Sequence, residues 1–290
     1  MPVGHGDLCR GRRIRPRAGE CPVKGFRAAL GFLTILPVSP GDPAALMHAR
    51  AYFPLVGLVL GALLVGLDLL LSGWLFLPEG MFIALAPKHL LESALLVVFL
   101  VVMTRGLHLD GFMDSCDALF GGHTRERRLE IMRDPHVGAF AVAGVVCLLI
   151  IKCAAVAGLL QPLRLHMLIL FPCLSRWAML LVMELYPYAR SEGLGTAFLG
   201  SGGRLQLFFG FICALFASLL AAGVMGLILL LAASLIAWAV GAWASRRLGG
   251  LTGDVYGAIN EIVEAAVLVL ACFLPVGFFH MAQLSVELPW

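Results

Sequence analysis

Charge is scarce in this 290-residue chain. Asp, Glu, Lys and Arg make up 13% of it against 60% hydrophobic residues, and the mean hydropathy of +0.94 lies far above that of an ordinary soluble domain. The apolar runs also lack period-two alternation, which argues against an outer-membrane barrel. No CxxC pair occurs among the eight cysteines, and Cys147, Cys153, Cys173, Cys213 and Cys272 lie inside apolar runs as small core hydrophobes. Neither a disulfide framework nor a zinc site is indicated. The basic N-terminus is not closely followed by an apolar core with a cleavage site. Residues 1–24 therefore read as a disordered cytoplasmic tail rather than a signal peptide.

What is present is a series of apolar runs, each long enough to cross about 30 Å of hydrocarbon as a helix. They lie at 52–77, 89–104, 137–160, 165–184, 205–223, 225–244 and 262–281. The fold class expected is all-α: a polytopic membrane helical bundle of about seven spans, forming one domain over 25–290. The run GFRAALGFLTILPVS (25–39) is too short to span and reads as an interfacial or re-entrant N-terminal helix.

Basic residues set the expected orientation. With the N-terminus inside, the cytoplasmic segments hold Arg10, Arg12, Arg13, Arg15, Arg17, Lys24, Arg27 and Arg50, then Arg105, Arg125, Arg127, Arg128 and Arg133, then Arg190, Arg204, Arg246 and Arg247. Of the 21 Lys and Arg, only Lys88 and Arg164 fall on the other side, while Lys152 and Arg176 lie within spans. Both polar clusters of the chain, 105–138 and 246–264, then emerge at the cytoplasmic face of what is expected to be a bacterial inner membrane.

The first cluster contains RGLHLDGFMDSCDALFGG (105–122). If helical, it sets Asp110, Asp114 and Asp117 at i, i+4 and i+7, within an arc of roughly 60°. Three carboxylates on one face repel one another, and a divalent cation relieves that repulsion. Hard oxygen donors without a Cys or His cage point to Mg²⁺. A solvated loop face is the plainer alternative. His108 can bind phosphate or act as a base, although a histidine at a helix end is as often a surface residue. Thr124 is placed to cap a helix through RERRLEIMRD that stops before Pro135. Its Arg125, Arg127, Arg128 and Arg133 suit substrate phosphates or anionic headgroups. In the second cluster, Gly249, Gly250 and Gly253 predict a flexible turn, with Asp254 and Glu261 sharing a face and Glu264 one turn further. Arg176, charged inside a span, marks the bundle interior. Together these features predict a Mg²⁺-dependent site for phosphate-bearing substrates at the membrane edge.

These residues resemble the bacterial cobalamin synthases, the adenosylcobinamide-GDP ribazoletransferases. The resemblance runs through GFLTILPV (31–38), YFPLVGLVLG (52–61), RGLHLDGFMDSCDALFGG (105–122), RERRLEIMRDPHVGAF (125–140), SRWAM (175–179) and GGLTGDVYGAINEIVE (249–264). It implies attack by a hydroxyl of α-ribazole, or of its 5′-phosphate, on the corrinoid-side phosphorus of adenosylcobinamide-GDP, with loss of GMP. It further implies Asp110, Asp114, Asp117, Asp254 and Glu261 as metal-site residues, with Asp114, Asp117 and His108 as catalytic candidates. Arg105, Arg127, Arg128, Arg133, Arg176, Arg247 and Asn260 are the expected substrate-binding residues. The partners implied are these two substrates and the lipid bilayer, with no nucleic acid, and with homo-oligomers or other cobalamin-assembly enzymes as protein partners. A CDP-alcohol phosphotransferase or a UbiA-type prenyltransferase shares the Asp-rich helices and Mg²⁺. The former would carry D-G-x-x-A-R and the latter two Asp-rich motifs; a transporter would keep its polar groups near the midplane, between repeated halves.

Overall fold

The computed structural model describes residues 22–38, 43–74, 88–190 and 203–274, and the first 21 residues of the expected basic tail lie outside them. Among the described residues every regular element is helical. In chain order they are α1 (Pro22–Leu33), α2 (Pro43–Ala49), a short 3-10 turn (Arg50–Tyr52), α3 (Phe53–Trp74), α4 (Lys88–Met103), α5 (Leu107–Cys116) with a π-helical turn after it (Asp117–Gly121), α6 (Arg125–Ile131), α7 (Ala139–Gly158), α8 (Leu163–Leu185), α9 (Gly203–Leu248) and α10 (Gly253–Cys272). Five stretches are long and apolar enough to cross a membrane: Ala45–Ser72, which holds α3, and then α7, α8, α9 and α10. A sixth arises if α4 and α5, which meet at 93°, form one broken span.

The apolar pattern inside α9 is continuous, yet the helix breaks where the sequence divides it into two expected spans. A straight helix of 46 residues would be about 69 Å long at 1.5 Å per residue. Instead Gly223 adopts φ +53 beside a non-helical Ala222, and a Cβ on Gly226 would lie 2.0 Å from the carbonyl oxygen of Ser218. The two arms therefore fold back on each other. Gly223 supplies the left-handed backbone that the reversal needs.

α8 and α10 form the centre of the bundle, with 78% and 72% of their most apolar windows buried, against 22% for α9. α10 begins nine residues before the start expected for the last span. Hydropathy places the start of the last span after the polar residues of 254–261, because charge disfavours hydrocarbon. In the bundle Asn260 and Glu261 face other polar side chains rather than lipid, so the helix runs through them.

At the head of the bundle, α4 turns into α5 through left-handed Arg105 (φ 55) and Gly106. The Arg105 guanidinium donates to the carbonyls of Gly31 (3.2 Å) and Phe32 (3.0 Å), and the Ile35 amide donates to the Met103 carbonyl (2.7 Å). These bonds tie the end of α1, which at 12 residues is too short to span, to the corner that aims α5. α5 then crosses α10 with almost no space between backbones: a Cβ on Gly111 would lie 2.7 Å from the Asp254 carbonyl oxygen, and one on Gly257 3.0 Å from that of His108.

Candidate active site

That crossing brings the two polar clusters of the sequence together. A cavity of ≈ 220 Å³ opens beside it, lined by His108 and Asp110 of α5, Asp254 and Tyr256 of α10, and Tyr188 and Arg190 of the segment after α8. Burial first, then the neighbouring Asp110 and Asp254 carboxylates, push the carboxyl of Asp114 up to about 7; α5 itself is not one of the five spans. Asp114 does not itself line the cavity, but it interacts with Asp110, with Asp254 and, more weakly, with Asp117, and Arg190 is the opposing cation, its Nη2 donating to Asp254 Oδ2 at 2.9 Å.

Arg190 reaches that position through a local backbone device. Tyr188 and Leu251 form an isolated parallel bridge, in which the Leu251 amide donates to the Pro187 carbonyl and the Ala189 amide to the Leu251 carbonyl, both at 2.8 Å. The run that reads as a flexible glycine turn is therefore an ordered clamp between the entry to α10 and the exit from α8. Thr252 caps α10 by accepting from the Val255 amide (3.3 Å), and its hydroxyl donates to Asp254 (3.3 Å).

The other expected site residues divide into three groups. Asp117 has both carboxylate oxygens engaged at the start of α7, accepting from the amides of Gly138 (2.6 Å) and Ala141 (2.9 Å). Glu261, Asn260 and Arg176 lie deeper, in a closed polar cluster. There Lys152 donates to Glu261 (2.5 Å) and Glu264 (2.6 Å), Arg176 pairs with Glu264, and Asn260 donates to Glu264 (3.1 Å). His108 lies between cavity and cluster, buried, with neither ring nitrogen hydrogen-bonded.

The remaining arginines do not line the cavity. Arg127 pairs with Glu130 (2.8 Å) on the exposed face of α6, whose N-terminus Thr124 caps as the sequence predicts; Arg133 is also exposed. Arg128 and Arg247 pack at the C-terminal end of α9, and Arg105 holds the corner before α5. Sequence reading missed Arg190 as the partner of Asp254, and Lys152 as the counter-ion of Glu261. A lysine inside an apolar run was the available signal for the second; for the first there was none beyond position near a span end.

Among the described residues no group of three or more His, Cys, Asp or Glu side chains is closed to the geometry of a metal site. The donor chemistry around the cavity nevertheless fits a hard cation: the carboxylates of Asp110 and Asp254 line it beside one guanidinium, and its sulfurs are the thioethers of Met179 and Met183, weak donors for such an ion.

A family model described as cobalamin-5-phosphate synthase matches residues 25–272. The chain belongs to the cobalamin-5-phosphate synthase family. Among its relatives, proteins described as adenosylcobinamide-GDP ribazoletransferase are 36% identical in Desulforamulus reducens over 247 residues (84% of this chain, 94% of the relative) and 39% identical in Pseudomonas syringae pv. syringae over 258 residues (86% and 99%). The protein of that description in Synechococcus elongatus is 38% identical over 252 residues (83% and 93%). No solved structure matches the chain. Every residue that lines the cavity, from Phe32 to Gly257, falls inside the stretch matched to cobalamin-5-phosphate synthase.

Proposed function

We propose that this protein is an adenosylcobinamide-GDP ribazoletransferase whose chemistry takes place in the cavity between α5 and α10. The activity follows from the names of relatives matched over most of both chains. The observation that carries the site is the convergence of Asp110 and Asp254 on a cavity, with Asp114 one turn along α5 in their electrostatic reach and Arg190 as the cation beside them. A lone cluster of acids would repel a phosphate ester, so the arrangement suits a substrate that arrives with a cation.

In this reading Asp110 and Asp254 hold Mg²⁺. When bound, the ion neutralises phosphate oxygens and spreads the charge that builds up during phosphoryl transfer. Asp114 takes the proton of the acceptor hydroxyl of α-ribazole, or of its 5′-phosphate, as that oxygen bonds to the corrinoid-side phosphorus. The phosphoanhydride bond to GMP breaks in the same displacement, and GMP leaves. Arg190 orients Asp254 and offers its remaining N–H groups to the diphosphate. Tyr188 and Tyr256, stacked with ring centroids 6.3 Å apart, wall off one side of the cavity. The cavity opens at the cytoplasmic face of the inner membrane, the side on which the basic residues accumulate.

The direct test supplies the purified protein with adenosylcobinamide-GDP, α-ribazole and Mg²⁺ and measures GMP release. Mg²⁺-dependent GMP formation coupled to joining of the two substrates is the expected result. GMP release that does not depend on the acceptor, or none at all with folded protein, would overturn the reading.

A further inference from the structure

On the side of α5 that faces away from its carboxylates, a groove of ≈ 390 Å³ runs between α5, α7, α9 and α10. Its walls are apolar along nearly their whole length, with Phe112, Cys116, Phe120, Cys147, Trp243 and Ile262 among them. The flank of α7 beside it turns Val142, Val146 and Ile150 outward, all about half exposed or more, as a lipid-facing helix does. The groove thus has an open lateral side within the membrane-spanning region.

One end of the groove is cationic. Arg247 lies over the Trp243 ring, its Cζ 4.4 Å from the centroid, and donates to the Leu119 carbonyl (3.1 Å). Arg128 donates to the Arg247 carbonyl (3.4 Å) and Arg125 to the Leu248 carbonyl (2.8 Å). Carbonyls orient these three guanidinium groups, and among the described residues no carboxylate forms an ion pair with any of them. Arg247, seated on the groove residues Trp243 and Leu119, and Arg128 on the Arg247 carbonyl set fixed cations at one end of an apolar channel, with an aromatic ring at the boundary, and so form an amphipathic receptor. Its complement is a molecule with an anionic phosphate head and a hydrocarbon tail.

We propose that this groove is a binding site for a phospholipid of net negative charge, with its phosphate on Arg128 and Arg247 and an acyl chain along Phe112, Cys147 and Ile262. A soluble phosphate compound satisfies the arginines but leaves the apolar channel without a partner. A zwitterionic lipid fills the channel but brings its own cation to the arginines. The site shares α5 and α10 with the proposed catalytic cavity but none of its lining residues.

Native mass spectrometry of the full chain in mild detergent tests this, with phosphatidylglycerol and phosphatidylcholine of identical acyl chains as probes. Wild-type protein is expected to retain phosphatidylglycerol in preference. The Arg128→Gln/Arg247→Gln double variant should lose that preference, by about fivefold per arginine removed. Arg247→Lys keeps the charge and should keep most of the preference, which separates loss of the site from loss of folding. Cys147→Trp, which fills the channel from its exposed side, should weaken both lipids together. Equal retention of the two lipids by the wild type, or a preference that survives the double variant, would overturn the proposal. So would displacement of phosphatidylglycerol by GDP, since the arginines would then serve a soluble nucleotide.

Discussion

α10 carries two polar clusters about two turns apart, and they are built on opposite plans. Around Asp254, three carboxylates face one guanidinium and the side chains remain partly open: 22% exposed for Asp254, 13% for Arg190. Around Glu261 and Glu264, two carboxylates meet the two cations Lys152 and Arg176, and exposure falls to 7% and 1% for the acids and 3% and 0% for the bases. The deep cluster is neutral and closed, as charges inside a bundle must be to offset their desolvation. The shallow one is left unbalanced beside a cavity, at a cost in repulsion that protonation of Asp114 or a bound cation relieves. Within one helix, then, incomplete neutralisation separates the proposed reactive site from a closed ion-pair cluster.

The largest effect expected from this contrast is catalytic and confined to the shallow cluster. Asp114→Asn and Asp254→Asn should each lower GMP formation by about a hundredfold or more, the usual scale for loss of a positioned acid or base. Thermal stability in detergent should hold or rise for Asp114→Asn, because a repelling charge has gone. An unfolded Asp114→Asn protein, or one with near-normal turnover, would erase the distinction between the two clusters.

The deep cluster should respond the other way. Glu264→Ala leaves Lys152 with Glu261 alone and Arg176 without its carboxylate. Breaking such a buried pair is expected to cost about 3–5 kcal/mol of stability, measured by denaturant titration in detergent. A smaller effect is expected when charge is removed in balance. The Lys152→Met/Glu261→Gln double variant leaves the Arg176–Glu264 pair intact and should be more stable than Lys152→Met by roughly 2 kcal/mol, since residues within one network are strongly non-additive. Additive losses would mean that the four charges do not act as a unit.

How much of this was legible beforehand depends on whether the physics is local. Long apolar runs report directly on spans, so the order of helices could be read from the sequence, down to the reversal near Gly223. The carboxylate periodicity of α5 was local too, and Asp110 and Asp114 share a face as expected. The start of α10 was misplaced because hydropathy sees Asn260 and Glu261 as costly, whereas Lys152, more than a hundred residues away, removes that cost. Arg190 escaped notice for the same reason. Its role depends on the bridge between Tyr188 and Leu251, a backbone pairing with no periodic signature.

Asp117 provides the finest test of the comparison, because periodicity groups it with Asp110 and Asp114 while its hydrogen bonds do not. Its oxygens accept from the amides of Gly138 and Ala141 at the start of α7, where a carboxylate also meets the positive end of the helix dipole. A Cβ on Gly138 would come within 2.6 Å of that carboxylate, so the cap is fitted closely. α7 in turn delivers Lys152 to the deep cluster and packs against α5 and α10. As a cap, Asp117 needs an acceptor more than a charge, and Asp117→Asn keeps one oxygen. The expected loss is about 1 kcal/mol of stability, with turnover within roughly tenfold of wild type and an unchanged Mg²⁺ requirement. As a third carboxylate on the metal, the same substitution would raise the Mg²⁺ concentration needed for half-maximal activity and reduce turnover as severely as Asp114→Asn. Measuring activity against Mg²⁺ for both variants side by side decides between these outcomes, and the second would move Asp117 from the cap of α7 to the proposed reactive site.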